Sequence, residues 1–312
     1  MKILFVSLGC DKNLVDSEKM LGMLQEKGYT FTDDEAEADV VVVNTCCFIG
    51  DAKEESINTL LQMGELKDSG QVKALIAAGC LAQRYREEIQ KEIPQVDAII
   101  GTTAIDEIVA ALEEILAGQK QNHYEDINAA PVTETNRVVT TGGHFAYLKI
   151  AEGCDKHCTY CIIPKVRGNY RSVPKESLLK EATELADKGV RELILVAQET
   201  TLYGMDLYGK KELPRLLHEL AQIPGIYWIR ILYCYPEEIT DELIDAIAAE
   251  PKVCNYLDIP IQHASDNVLK RMGRRTDQAE LRAIIGKLRE KIPDQRIPWR
   301  DSGGFRGTVS LC

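Results

Sequence analysis

Short apolar runs and amphipathic stretches alternate along the first part of the chain. Residues 2–8 form a brief apolar run that stops at Gly9-Cys10. Residues 16–27 carry apolar side chains at helical spacing, with Leu21 and Leu24 on one face, and close at Gly28. Residues 39–44 contain the consecutive valines Val40 to Val43, a β-branched run suited to a strand covered on both faces. Residues 53–67 read as a helix, 74–78 as a strand, 87–92 as a helix, 98–100 as a strand and 105–116 as a helix. This alternation predicts an α/β domain with a parallel sheet and helices on both faces.

Residues 119–143 are polar and aperiodic, with Asn128-Ala129-Ala130-Pro131 and Thr140-Thr141-Gly142-Gly143 among them. They read as a linker, and His123 and His144 are expected at the surface. The alternation then resumes, with strands over 145–150, 192–197, 228–232 and 256–261 and helices over 175–188, 213–223, 241–249 and 276–290. Four βα units with polar residues after each strand predict a partial (β/α) barrel, with its site at the carboxyl ends of the strands. The expected plan is an α/β domain over 1–118, a linker over 119–143, an incomplete barrel over 144–294 and an atypical tail over 295–312. The tail lacks strand alternation and is rich in Arg, Gly and Pro.

Composition adds three constraints. A chain of 312 residues, 45% hydrophobic and 28% charged, suits two soluble domains. No apolar run reaches the roughly 18 residues of a membrane span, and the first apolar stretch is too short for a signal peptide. A cytoplasmic protein with no membrane partner is the expectation. Charge is uneven: residues 1–135 hold 11 Lys+Arg and 25 Asp+Glu, net -14, whereas residues 136–312 hold 26 and 24, net +2. The acidic half leans towards a basic partner, although a solubilising surface explains the charge equally well.

The ten cysteines carry the chemistry. In a reducing compartment they are expected to be ligands or catalytic groups rather than a disulfide framework. Three strands of the first domain end alike, at Gly9-Cys10, Thr45-Cys46 and Gly79-Cys80. Ligands of open α/β sheets bind beyond the carboxyl ends of the strands, so Cys10, Cys46 and Cys80 are expected to converge there. The competing reading is three buried structural cysteines. Neighbouring side chains of an extended chain point apart, which separates Cys47 from Cys46. In the second domain Cys154, Cys158 and Cys161 stand in C-x-x-x-C-x-x-C spacing after a strand. Three thiolates so close together suit an iron–sulfur cluster with one iron left open. A zinc site completed by His157 or a distant residue is the alternative. Gln198, Thr200, Gln262 and His263 should face the same mouth, with His263 either a proton-transfer group or a hydrogen-bonded structural histidine. Cys234 and Cys254 read as core or rim residues. The basic clusters Arg167 to Arg171 and Lys270, Arg271, Arg274, Arg275 read as solvated faces or as a surface for an acidic or phosphate-bearing partner.

Cys154, Cys158, Tyr160 and Cys161 form C-x-x-x-C-x-aromatic-C, which resembles the signature of the radical S-adenosylmethionine superfamily. With Cys10, Cys46 and Cys80 upstream, the chain resembles the methylthiotransferases of that superfamily. The stretches 7–18, 162–168, 232–236 and 256–263 are similar to the branch that modifies an aspartate of a small-subunit ribosomal protein. The likeness covers residues 1 to about 294; beyond them the chain departs from the family, so the tail is expected to be a truncated or frameshifted end. It implies two 4Fe-4S clusters, one on Cys154, Cys158 and Cys161 and the other on Cys10, Cys46 and Cys80. It also implies S-adenosylmethionine, with Tyr160, Gln198, Thr200 and Gln262 as expected cofactor contacts. The first cluster would cleave this cofactor to a radical that takes hydrogen from an unactivated C–H bond. The second would deliver sulfur, and a second cofactor molecule the methyl group. The implied partners are the ribosomal protein or subunit, a reduced electron donor and a sulfur donor; no residue stands out as a catalytic acid or base. Two other readings remain: modification of adenosine in transfer RNA, and a truncated, non-catalytic metal-binding module.

Overall fold

The computed structural model describes residues 1–294, so the atypical tail expected over 295–312 lies outside the described residues. The chain divides into two compact units. Met1–Thr140 and Lys165–Gly168 make the first, and Thr141–Pro164 with the chain from Asn169 onward makes the second.

In the first unit, β1 (Lys2–Ser7), β2 (Thr30–Thr32), β3 (Val40–Thr45), β4 (Ala74–Ala78) and β5 (Ala98–Ile100) form one parallel sheet in the order β2-β1-β3-β4-β5. The strands are joined through α1 (Asp11–Glu26), α2 (Gly50–Asp68), α3 (Gly79–Arg84) and α4 (Arg86–Glu92), and α5 (Ile108–Leu116) follows β5. The four valines of β3 are fully buried at the centre of the sheet, as a strand flanked by β1 and β4 and covered on both faces requires. Three features depart from the hydrophobic pattern. Helix α1 starts five residues before the expected position, because its first turns bury Lys12, Asn13, Asp16, Ser17, Glu18 and Lys19 instead of an apolar stripe. Strand β2 is a three-residue edge with little apolar signal. Helix α3 opens on Gly79, a residue that sequence reasoning places at helix ends.

Residues 119–140, expected as linker, count with the first unit. The buried Arg137 guanidinium donates from Nε to Glu18 Oε2 at 2.7 Å. Thr140 donates to Glu18 Oε1 from its backbone N at 2.6 Å and from Oγ1 at 2.7 Å. Gly22 makes room for this strap, since a Cβ there would overlap the carbonyl of Asn136. His123 is not the free surface residue expected. It continues the sheet edge as a bridge to Ile100, and its Nε2 lies 2.9 Å from Glu114 Oε2. His144 is exposed.

In the second unit, β6 (Phe145–Lys149) leads into the two-residue β7 (Ala151–Glu152), which pairs antiparallel with β8 (Arg171–Ser172); α6 (Ile163–Arg167) lies between them in the chain, and its residues from Lys165 count with the first unit. Helix α7 (Lys175–Asp187), β9 (Glu192–Val196), α8 (Met205–Tyr208), α9 (Leu213–Ala221), β10 (Trp228–Ile231), α10 (Asp241–Ala249), β11 (Val253–Leu257), α11 (Asp266–Arg271) and α12 (Gln278–Lys291) follow. Strands β6, β9, β10 and β11 form a parallel sheet in chain order, the sector of a (β/α) barrel that the pattern predicts. Strand β11 ends at Leu257, short of the expected 261. Pro260 has no N–H for a ladder, although the Asp258 carbonyl still accepts the backbone N–H of Cys234 at 2.8 Å. Among the described residues no helix is long and apolar enough to cross a membrane.

Candidate functional site

The first site lies at the carboxyl ends of β1, β3 and β4. Strands β1 and β4 turn sharply there. Gly9 has φ +94°, and a Cβ on it would lie 2.7 Å from Cys46 Cβ and 2.8 Å from Cys46 Sγ. Gly79 has φ +88°, and a Cβ there would strike Asn44 Oδ1 and lie 2.6 Å from the Thr45 carbonyl oxygen. Only glycine suits both the left-handed conformation and the close approach. The turns leave Cys10 at the N-cap of α1, Cys46 one residue beyond β3 and Cys80 in the first turn of α3. Ser56 of α2 fixes Cys46 by accepting from its N–H and donating to its carbonyl, both at 2.9 Å. Thr45 Oγ1 donates to the Ala78 carbonyl at 2.6 Å, tying β3 to β4.

The three thiols sense one another. Burial pushes the Cys80 thiol up to about 12, with Arg167 opposing the rise and Cys10 and Cys46 adding to it. Burial also raises Cys46, and Cys10 adds to that. Cys10 is exposed, while Cys46 and Cys80 are buried. Cys47 is buried as well; burial raises its thiol, Cys46 adds to the rise and Arg84 opposes it. Cys46 thus lies within electrostatic reach of Cys10 and Cys80, and Cys47 has Arg84 beside it.

Two residues outside the cysteine pattern organise this site. Asn13 donates from Nδ2 to the carbonyls of Leu8 and Thr45, each at 3.0 Å, and so bridges the ends of β1 and β3. Arg167, expected on a solvated basic face, is only 2% exposed. It pairs with Asp16 Oδ2 at 2.7 Å, donates to Asn13 Oδ1, and directs Nε at Cys80 Sγ from 3.3 Å.

The second site lies in the second unit, at the carboxyl ends of its parallel strands. Gly153 (φ +76°) opens the cysteine loop after β7, and His157 has φ +50°. Cys154 and Cys158 are buried and Cys161 half-buried. Cys161 N–H donates to the Cys158 carbonyl at 3.0 Å. Thr159 pins the loop to the end of α11, its N–H donating to the Met272 carbonyl at 3.0 Å and its Oγ1 to that of Arg271 at 3.1 Å. Burial pushes Cys154 up to about 12, and Glu199, Cys161 and Cys158 add to the rise. Tyr160 sits on the rim and is 41% exposed.

Arg274, also expected on a solvated face, is 7% exposed. Its guanidinium lies 4.3 Å from the Tyr235 ring centroid, donates to the Pro260 carbonyl at 2.9 Å and reaches Cys158 Sγ at 3.9 Å. Its neighbours Lys270, Arg271 and Arg275 are exposed, as expected.

Gln198, just past β9, donates from Nε2 to Glu152 Oε1 at 2.8 Å, and its buried Oε1 has no protein partner. Thr200 is fully buried; its hydroxyl donates to the Leu232 carbonyl at 2.7 Å, so it braces β9 against β10. Gln262 is half-buried with φ +65°, a strained conformation for a non-glycine residue. His263 accepts the Ser265 N–H on Nδ1 at 2.9 Å and shapes the loop after β11. Cys234 is buried, 3.6 Å from Thr200 Oγ1.

Sequence reasoning misses Glu199. It is buried, Thr201 N–H donates to its Oε1 at 3.0 Å, and Oε2 has no partner. Burial pushes its carboxyl up to about 8. The one available signal is its place among polar residues directly after a barrel strand.

Both donor sets are soft thiols at strand ends, the chemistry that iron–sulfur clusters take. Among the described residues no three His, Cys, Asp or Glu side chains close round a single ion position. A four-iron cluster does not need that arrangement, because each thiolate takes a different iron. The unpartnered Gln198 Oε1 fits a ligand that brings an N–H or O–H donor, such as an amino acid's ammonium group.

Residues 2–101 match the family described as uncharacterized protein family UPF0004, and residues 148–298 match the radical SAM superfamily. The ribosomal protein uS12 methylthiotransferase RimO of Lachnoclostridium phytofermentans is 62% identical over 98% of this chain and 70% of its own length. RimO of Clostridioides difficile is 50% identical over 98% of this chain and 69% of its own length. RimO of Clostridium perfringens is 52% identical over 94% of this chain and 66% of its own length. The chain thus spans about two thirds of the length of these relatives. Among solved structures, the radical S-adenosylmethionine methyltransferase TsrM of Kitasatospora setae aligns with TM-score 0.63 at 14% identity over 93% of this chain and 66% of its own. The cobalamin-dependent S-adenosylmethionine radical enzyme OxsB aligns with TM-score 0.64 at 11% identity, over 95% of this chain and 48% of its own. These two likenesses show the fold.

Proposed function

The chain belongs to the family of the ribosomal protein uS12 methylthiotransferase RimO, and from that premise we propose that it adds a methylthio group to the β-carbon of an aspartate in ribosomal protein uS12. One observation supports the reading: each unit carries three cysteines that follow the carboxyl ends of its strands. Cys154, Cys158 and Cys161 would hold a 4Fe-4S cluster that would bind S-adenosylmethionine, and Cys10, Cys46 and Cys80 would hold the second. Together these groups supply radical hydrogen abstraction, sulfur and methyl, chemistry that side chains alone lack.

The chain's own residues position and insulate. Gln198 Oε1 would accept a donor from the cofactor, Tyr160 would close the rim and Gln262 would present its side chain from the strained loop after β11. Thr200, whose hydroxyl is committed to the backbone just past β10, acts by holding β9 and β10 together. Arg274 places positive charge beside Cys158 and is buried enough to keep it unscreened. The net charge of -14 over residues 1–135 favours a basic ribosomal protein as partner over a transfer RNA. A reduced electron donor and a sulfur donor complete the reaction.

The test is iron and acid-labile sulfide per chain after anaerobic reconstitution, followed by turnover on uS12. About eight irons, release of 5′-deoxyadenosine, and uS12 heavier by a methylthio group in place of hydrogen are the expected results. Zinc instead of iron, or modification of transfer RNA with uS12 untouched, would overturn the proposal.

A further inference from the structure

We infer that Arg167 is a positioning residue for the first thiol triad, holding a fixed positive charge and an N–H donor against the sulfur of Cys80 and so raising the reduction potential of the cluster bound there. The inference rests on the proposed assignment of Cys10, Cys46 and Cys80 as cluster ligands.

An arginine buried to 2% exposure is costly unless its charge and donors are all used. Here three directions of the guanidinium are used: Asp16 at 2.7 Å, Asn13, and Cys80 Sγ at 3.3 Å. Asp16 fixes the fork through Nη1 while Nε meets the sulfur, so the cation and not the carboxylate faces the thiol. Asn13 relays the arrangement to the strand ends behind Cys10 and Cys46 through its bonds to the Leu8 and Thr45 carbonyls. The segment does not need this side chain to stay in place, because Thr102 Oγ1 already anchors it by donating to the Val166 carbonyl at 2.9 Å. Hydrogen bonds to cluster sulfurs, local charge and burial set cluster potentials. A buried cation stabilises the reduced, more negative state.

The experiment uses the full chain with Cys154→Ala, Cys158→Ala and Cys161→Ala, so that only the first triad can take iron. Midpoint potentials are read by electron paramagnetic resonance during redox titration, alongside iron content. Arg167→Gln is expected to lower the midpoint by at least a tenfold change in the reduction equilibrium, about 59 mV for one electron. Arg167→Lys should recover most of it. Asp16→Asn, which removes the compensating carboxylate, should move the midpoint up. A purely structural role does not give shifts of opposite sign. Arg167→Gln with full iron and an unchanged midpoint overturns the inference. If Arg167→Gln takes no iron, Asp16→Asn decides: an upward shift supports the inference and no shift overturns it. If the parent chain takes no iron, the cluster assignment itself fails, and the inference falls with it.

Discussion

Replacing Glu199 by glutamine should change how the stability of the protein depends on pH. Glu199 is fully buried, one carboxylate oxygen bonds to Thr201 and the other has no partner. Burial outweighs the favourable Thr201 bond and the Lys156 charge, and pushes the carboxyl from 4.5 to about 8. Between those values the folded chain holds a proton that the unfolded chain has released. The folded state therefore binds more protons, and stability falls as pH rises, by about 1.4 kcal/mol per pH unit. The loss begins near pH 4.5, is complete by about pH 8, and comes to about 5 kcal/mol across the whole gap. Glutamine cannot ionise and removes this slope. It also puts an amide donor where Oε2 now lacks a partner, a cost of about 1–3 kcal/mol that is the same at every pH. Urea unfolding of the iron-free chain, followed by circular dichroism from about pH 5 to about pH 8, separates the two effects. Glu199→Gln should gain on the parent steadily across that range, by about 4 kcal/mol in total. Parallel stability curves would show that Glu199 is ionised in the folded chain and would refute the reasoning.

Gly79→Ala combines a left-handed backbone with a Cβ driven into Asn44 Oδ1. It should cost about 2–5 kcal/mol in strain and overpacking and lower iron uptake to the share of the Cys154 triad, as checked by thermal melting and iron analysis. Glu18→Ala removes the carboxylate that meets the buried Arg137 guanidinium and the Thr140 N–H and hydroxyl, and should cost about 3–5 kcal/mol in urea unfolding. A loss of under about 0.5 kcal/mol, the scale of an ordinary surface substitution, would show that the strap over residues 132–140 does not depend on the pair. In the iron-free chain at about pH 8, iodoacetamide should label the exposed Cys10 well before Cys80 and Cys154, whose thiols stand at about 12. The labelling rate of those two should rise about tenfold per pH unit as their thiolate fraction grows. Equal labelling rates by mass spectrometry would contradict the burial-driven rise.

Strands β3 and β4 can be read from the chain because a strand covered on both faces needs an unbroken apolar run, and Val40 to Val43 and Ala74 to Ala78 supply one. The cysteines can be read because their spacing and their place after strands are properties of sequence alone. What supports them cannot. Hydrophobic periodicity records only the residues that bury apolar surface, whereas the first turns of α1 bury Asn13, Asp16 and Glu18. Each of these is hidden because it has a partner: Asn13 the strand-end carbonyls, Asp16 the Arg167 guanidinium, Glu18 Arg137 and Thr140. The partners lie more than a hundred residues away for Asp16 and Glu18, so no local window connects them. Arg167 and Arg274 escape sequence reasoning for the same reason. A basic residue in a basic cluster is ordinarily solvated, and only the fold reveals the sulfur, ring or carboxylate it meets. The first turns of α1 thus break the helical pattern because side chains that are buried with polar partners stand where a plain core would place leucine.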